Sequence, residues 1–412
     1  MTQRLKSRSI LGSVSINIIL LGLASFINDT SSDMIWPILP MFITSIGGGG
    51  LAVGLIGGLG ESVSSILKVF SGYWSDRLGR RKILVTSGYA LSSVSKALFP
   101  FVGSWIHLLI LRPIERVGKG LRTAPRDALI ADSSVEGRRG VSFGIHRALD
   151  TSGALLGSFL AFIFVWFLNL NFRSILLIAA AIGFFALVPL IPVREAKANG
   201  KGAAPFKIGL KELGKPFKLF IAIVTLFTLG NFSYMFFILR ARDVFYAVFP
   251  ERLAEAIPIL LYILFNISYA LFSIPLGRVS DRIGKGKVLI IGYVIFALTC
   301  IGFIFSETLQ LFVALFLMYG LFHASVDAVQ RAYASDLAPE EWRGTALGTF
   351  HASIGLATLP ASTIAGILWD IEPKLTFAFG ASLALAAACL LTLLMGRLRP
   401  ERAFKFSQRR KI

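Results

Sequence analysis

The sequence predicts an all-α membrane protein of about twelve transmembrane helices, arranged as two pseudo-symmetric six-helix bundles. Three observations carry this prediction. The 412-residue chain is 55% hydrophobic and only 16% charged, too little charge to cover the surface of a soluble protein of this length. Apolar runs of roughly 20 residues, the length needed to cross a bilayer, recur through both halves. A charged motif is also written twice: Gly72, Asp76, Arg77, Gly79 and Arg80 return as Gly277, Asp281, Arg282, Gly284 and Lys285. A second pair repeats at nearly the same offset, Asp132, Glu136, Arg139 and Gly140 against Asp336, Glu340, Arg343 and Gly344. Duplicated membrane bundles joined by short charged loops are a common plan among transporters.

Taken in order, the runs centre on Leu21, Leu59, Leu91, Arg116, Leu156 and Ile182, then on Thr225, Leu264, Val294, Leu317, Leu356 and Leu385. Residues 1–193 form the expected first bundle, 194–217 a polar, Lys-rich connector, and 218–412 the second bundle with a basic tail. An even number of spans puts both termini on one side. The net charge of +19 is concentrated in the termini, the connector and the repeated loops. The positive-inside rule then places both termini and these loops in the cytoplasm, in a multi-pass protein of the cytoplasmic membrane. That distribution explains the basic balance without a nucleic-acid partner, and the lipid bilayer is the expected surrounding. No cleavable leader is expected, because the first apolar run is long and lacks a small-residue cleavage site. Cys300 and Cys389 both fall in apolar runs and read as core residues, with neither a disulfide framework nor a metal spacing. Gly118, Lys119 and Gly120 do not complete a phosphate loop, and no catalytic constellation stands out. Neither an enzyme nor an ATP-driven pump is expected, and no cofactor.

The duplicated loops resemble those of the major facilitator superfamily of secondary transporters. Its signature between the second and third spans is matched in full by Gly72, Asp76, Arg77, Gly79, Arg80, Arg81 and Lys82, and again in large part by Gly277, Asp281, Arg282 and Gly284. The resemblance covers nearly the whole chain. It implies two six-helix bundles around a central cavity, rocking between two access states. Arg112 also fits a looser fourth-span motif associated with proton-coupled members, although Glu115 stands where Gln is usual and Arg116 replaces a Gly. The fifth-span motif of antiporters is not reproduced, because Gly153 and Gly157 occur without its Pro.

In that frame the repeated loops form a cytoplasmic gate. Asp76 would face the start of the span beginning near Trp342, where a helix N-terminus favours a carboxylate. Arg77 would bridge to Asp132 or Glu136, with Asp281, Arg282, Asp336, Glu340 and Arg343 as the mirrored set.

Charges inside spans are costly in lipid and face a cavity or each other. The first span carries Asn28, Asp29 and Asp33, the two acids four residues apart and on one face. The second carries Glu61 and Lys68. The fourth carries Arg112, Glu115, Arg116, Lys119, Arg122, Arg126 and Asp127, with Arg112, Arg116, Lys119 and Arg126 as a basic stripe. The fifth adds His146, Arg147 and Asp150, with Arg139, His146 and Asp150 roughly in line. A step that separates Asp29 or Asp33 from Arg112 or Arg116 would change a carboxyl's affinity for protons, and His146 is a second candidate. The second half is less charged. Its expected cavity residues are Asn231, Tyr234, Asn266, Tyr269, His323, Asp327 and Arg331, with Asp327 and Arg331 as an i, i+4 pair; Phe232, Phe236 and Phe237 offer an apolar wall, with core or lipid packing the commoner role of Phe on such helices.

The resulting expectation is a monomeric, proton-coupled secondary transporter of a small molecule, foremost an exporter of amphipathic or hydrophobic compounds. An organic anion bound by the basic stripe, or a metal ion held by Asp29, Asp33, Glu61 and His146, is the alternative cargo. A non-transporting membrane receptor or scaffold is the alternative of a different class, and it has no need for co-facial buried charges.

Overall fold

The computed structural model describes residues 15–135, 139–195 and 213–409, apart from the side chains at 76, 78, 340 and 397–409. Most of the expected connector, residues 196–212, lies outside the described residues. In the first half, α1 (Ile16–Ile35) and the short α2 (Leu39–Ser45) make one pass. It is followed by α3 (Gly50–Leu78), α4 (Arg81–Leu98), α5 (Trp105–Ser133), α6 (Arg139–Trp166) and α7 (Phe172–Phe185). In the second half, α8 (Lys215–Gly230) and α9 (Met235–Tyr246) share a pass. Then come α10 (Glu251–Ile283), α11 (Lys285–Ile304), α12 (Leu309–Asp336), α13 (Arg343–Ile371) and α14 (Pro373–Arg409). The described helices thus make six passes in each half. Ten are long and apolar enough to span a bilayer on those grounds alone; α4 and α5 are not among them. α4 is rich in serine and α5 carries the charged series, and both are sheltered by neighbouring helices that take up their polar groups.

Local chemistry sets the ends. Ser15, Ser104 and Thr308 hydroxyls and the Asn171 side-chain oxygen accept first-turn N–H groups of α1, α5, α12 and α7. Gly79 (φ +61°) and Gly284 (φ +101°) close α3 and α10 in a conformation that side chains disfavour. This is a backbone reason for a glycine in each copy of the loop motif.

Two passes predicted as continuous are broken. Trp36–Ile38, with Pro37 at its centre, separates α1 from α2, and residues 231–234 separate α8 from α9. Non-helical backbone at this depth is tolerated where it lines a cavity.

Because the passes alternate in direction, the ends of α3, α5, α10 and α12 share a terminal face with the start of α1. The starts of α3, α5 and α10 and the end of α13 share the opposite, distal face. Within the bundles, α1 packs on α6 and α10 on α12; between them, α3 packs on α13 and α6 on α10. The seams rest on small residues. Gly153 and Gly157 leave no room for a Cβ against the carbonyls of Phe26 and Thr30, and neither does Gly54 against that of Ser362. The second bundle is filled by aromatic side chains, including the stacked pairs Phe227–Tyr293 (3.9 Å) and Phe237–Tyr319 (4.4 Å). Phe236 and Phe237 belong to this core, and of the expected apolar wall only Phe232 reaches the cavity. Cys300 is buried, but Cys389 is exposed on α14, which corrects its reading as a core residue: an apolar run in a membrane protein also supplies the surface that faces lipid.

Candidate functional site

Between the bundles lies a cavity of about 470 Å³, a size suited to a small organic molecule. Asp33, Trp36, Glu61, Arg116 and Lys119 line it from the first bundle. The second bundle supplies a broad aromatic and amide wall: Asn231 and Tyr234 at the α8–α9 break, Tyr262, Asn266 and Tyr269 from α10, and Tyr319, His323, Asp327 and Gln330 from α12. The distal end is closed. Asp370 of α13 accepts hydrogen bonds from Gly50 N (2.6 Å) and Leu51 N (2.9 Å) of α3. Arg242 donates to the Thr44 hydroxyl and Arg252 to the Trp166 carbonyl, also across the bundles. Deeper, the Tyr234 hydroxyl donates to Trp36 O (3.3 Å), and Trp36 is buried. Toward the terminal face the surroundings become exposed, with the Asp327 side chain 39% and Arg147 65% accessible. The protein therefore stands with its cavity facing the side of its termini.

The arginine stripe is largely neutralised. Arg112 donates to Glu115 (2.7 Å), both side chains at most 2% exposed, and its guanidinium lies 3.5 Å over the Trp36 ring. Arg116 forms an ion pair with Glu61, sits 3.7 Å from Glu115 and also stacks on Trp36. The two arginines are thus held by Glu115 and Glu61 and not by Asp29 or Asp33, which corrects the expected switching pair. The glutamates sit on the same helix and on the facing α3, nearer than the acids of α1. Lys119 lines the cavity with no ion-pair partner among the described residues.

The acids of α1 divide. Asp33 reaches the cavity, 3.5 Å from the Tyr262 hydroxyl. Asp29 accepts from Asn28 (2.8 Å) and faces Asp150 of α6 as a hydrogen-bond partner. Asp150 is held in turn by Arg147 (3.1 Å) and, more loosely, by Arg126 (3.9 Å). His146 is buried and bonds to Ser25 (3.0 Å), which also meets Tyr89 and Arg126. It is therefore apart from the cavity lining, as is Lys68. Arg122 donates to Ser92 and lies over Tyr89.

In the second bundle, Asp327 bonds to His323 (3.3 Å), while Arg331 reaches only the Asp327 carbonyl (3.0 Å). This corrects the expected Asp327–Arg331 pair: His323 stands one turn before Asp327 within the aromatic cluster and takes its carboxylate. No group of three or more His, Cys, Asp or Glu poised for a metal occurs among the described residues.

At the terminal face, Asp132 pairs with Arg81 and not with Arg77, four residues earlier, and Asp336 pairs with Lys285. Each pair spans 51 residues, so the duplication extends to these contacts. Each ties a loop to its own bundle. Gly72 lies near the end of α3, Arg77 is in its last turn, Arg80 immediately precedes α4, and Arg139 and Arg343 open α6 and α13. Asp281 and Arg282 occupy the last turn of α10. The side chains of Asp76 and Glu340, and all of Glu136, lie outside the described residues.

Four participants escaped the sequence reading. Lys96 of α4 is 1% exposed and bonds to Ser31 (2.8 Å), Ser32 (3.3 Å) and Asn28 (3.4 Å). Glu195 caps the start of α4 at Arg81 N and Lys82 N. Trp36 and Asp370 have the roles given above. Only Lys96 left a trace in the sequence, as a lone cation in line with Ser92 and Ser93.

The model of the Major Facilitator Superfamily matches residues 21–250 and 241–411. An uncharacterized MFS-type transporter of Methanocaldococcus jannaschii is 50% identical over 378 residues, covering 92% of this chain and 94% of its own. The multidrug resistance protein MdtG of Klebsiella pneumoniae is 28% identical over 335 residues, covering 76% and 77% of the two chains. Among solved structures, a mutant of the nucleoside transporter NupG superposes with a TM-score of 0.78 at 15% identity, covering 92% of this chain and 99% of that one, which supports the fold alone. With the duplicated loop motif, two six-pass bundles and a cavity between them, this chain belongs to the major facilitator superfamily.

Proposed function

We propose that this secondary transporter exports amphipathic or hydrophobic compounds from the cytoplasm in exchange for protons, working as a monomer of the cytoplasmic membrane with both termini inside. The neutralised arginine stripe carries the reading. With Arg112 and Arg116 held by Glu115 and Glu61, the cavity offers few free charges and a wide tyrosine-rich wall. Such a surface binds ring-bearing amphipaths by stacking and by a few oriented hydrogen bonds. The similarity to a protein named for multidrug resistance points the same way. A cavity facing the termini is the loading state of an exporter under this topology. The coupling ion is assigned to the carboxyls: Asp33 at the cavity, and Asp29 with the facing Asp150. The proton gradient is the energy source and no cofactor enters.

The test is flux in proteoliposomes under an imposed pH gradient, with a panel of hydrophobic cations, neutral amphipaths and organic anions and with lumenal pH recorded. Proton movement evoked by amphipaths, and lost in Asp33→Asn, is the expected result. Flux that ignores the gradient for every compound would end the coupled reading. One observation favours a second cargo: Lys119 lines the cavity without an ion-pair partner among the described residues. Saturable transport of a carboxylate or phosphate compound, abolished in Lys119→Gln, would move the assignment to organic anions.

A further inference from the structure

We infer that Lys96 is a positioning residue of the coupling machinery: through the Asn28 amide it fixes the hydrogen-bonding face presented to the Asp29 carboxyl, and so sets the pH range over which that carboxyl exchanges its proton. The inference rests on the proposed coupling role of Asp29.

Lys96 lies in the last turn of α4 and is 1% exposed. All of its described hydrogen-bond partners are neutral and come from α1: Ser31 Oγ, Ser32 Oγ and Asn28 Oδ1. The chamber around it is built closely. Ser31 Oγ donates to Ala179 O (2.6 Å), which turns its lone pairs toward the ammonium. α7 approaches through Gly183, where a Cβ would stand 3.2 Å from the Lys96 nitrogen. An ammonium with neutral partners in so enclosed a place is unfavourable relative to an apolar side chain of similar volume. A packing role alone would be met better by Met or Leu.

The ligation explains what the charge does. A lysine ammonium only donates. It therefore holds the Asn28 amide with Oδ1 toward itself, and the NH₂ group is left to point at Asp29, 2.8 Å away. An NH₂ donor favours the ionised carboxyl, whereas a reversed amide would offer its oxygen to the protonated one. Asp29 meets Asp150 on its other side, so proton occupancy of that pair is felt through Asn28 at Lys96. The charged groups facing Asp29 are Asp33 from α1 itself, Lys96 from α4, Asp150 from α6 and Lys119, Arg122 and Arg126 from α5. Those facing Lys96 are Asp29 and Asp33 from α1 and Glu115 and Arg122 from α5, while α7 presents Gly183. Apart from Lys96 and Asp29 themselves, all of these stay in place in the variants below.

The test is infrared titration of protonated carboxyl bands in the full chain, purified and returned to lipid, which needs no knowledge of the cargo. Asp29→Asn identifies the band that depends on Asp29. In Lys96→Met that band's midpoint moves toward alkaline pH by about half a unit or more, roughly a threefold change in proton affinity. Asn28→Leu, which cuts the connection and leaves the lysine, gives a shift of the same sign. The double variant gives no more than the larger single shift, the signature of one shared path. Lys96→Gln replaces Lys96→Met should the latter fail to fold. An Asp29-dependent band that neither Lys96 variant moves overturns the inference and leaves the coupling role of Asp29 intact. Absence of any titrating band lost in Asp29→Asn overturns the coupling role, and the inference with it.

Discussion

Asp370, at the distal end of α13, caps the helix that Gly50 begins in the other bundle, its carboxylate accepting from Gly50 N and Leu51 N at 2.6 and 2.9 Å. α3 and α13 run in opposite directions, so the end of each meets the start of the other. Removing the Asp370 cap should release the distal side. Helix caps contribute about 1 kcal/mol, so Asp370→Ala is expected to raise the distal-open population roughly fivefold. Distance distributions between spin labels on the distal loops would report it; an unchanged distribution would leave Asp370 as a cap without a gating role.

The Arg112–Glu115 pair is deeply buried, and removing one partner strands the other. Arg112→Leu is expected to destabilise the protein by about 3–5 kcal/mol. Adding Glu115→Leu should recover most of that stability without recovering transport. Thermal unfolding in detergent beside flux in liposomes separates the two effects, and full activity in the double variant would reduce the pair to packing.

Asp33→Asn keeps the shape of the carboxyl and removes its charge. If Asp33 carries the coupling proton, substrate exchange should persist while the response to a pH gradient disappears. A preserved response would transfer the coupling role to the Asp29–Asp150 pair.

Arg81–Asp132 and Lys285–Asp336 are partly exposed at the terminal face, with each aspartate nearly half accessible. Such pairs are worth at most about 1 kcal/mol. Asp336→Asn should thus change thermal stability by no more than a degree or two, at the size of this protein. A larger loss would mean that this loop contact serves more than its own bundle.

The architecture was legible in the sequence because hydrophobic length and the duplicated loops are local signals. Of the seven cavity residues expected in the second half, Asn231, Tyr234, Asn266, Tyr269, His323 and Asp327 line the cavity and Arg331 does not; the six were legible because polar groups in a lipid-length helix stand out. Partner choice was not legible. Arg116 and Glu61 are 55 residues apart in sequence and on different helices, so nothing local distinguished Glu61 from Asp33 as its partner. Lys96 was not legible because a cation near a helix end usually reaches water, and only the packing of α4 against α5 and α7, with α1 side chains at its end, encloses it. Asp370 sits in what reads as a plain outer loop, and its partner is 320 residues away.

The breaks at Trp36–Ile38 and at residues 231–234 give two passes an elbow at the depth of the cavity. The short segments beyond, α2 and α9, touch each other across the bundles. An elbow lets the roof of the chamber tilt while the α3–α13 seam keeps its contacts. For the proposed export, departure on the distal side would then be a two-stroke event, a flexing of the roof followed by the swing of whole bundles. The two strokes would then answer to different substitutions, at Pro37 or Ser233 for the first and along the glycine seam for the second. A cargo small enough to slip past the roof would leave on the first stroke alone, so cargo size itself would decide which motion sets the rate.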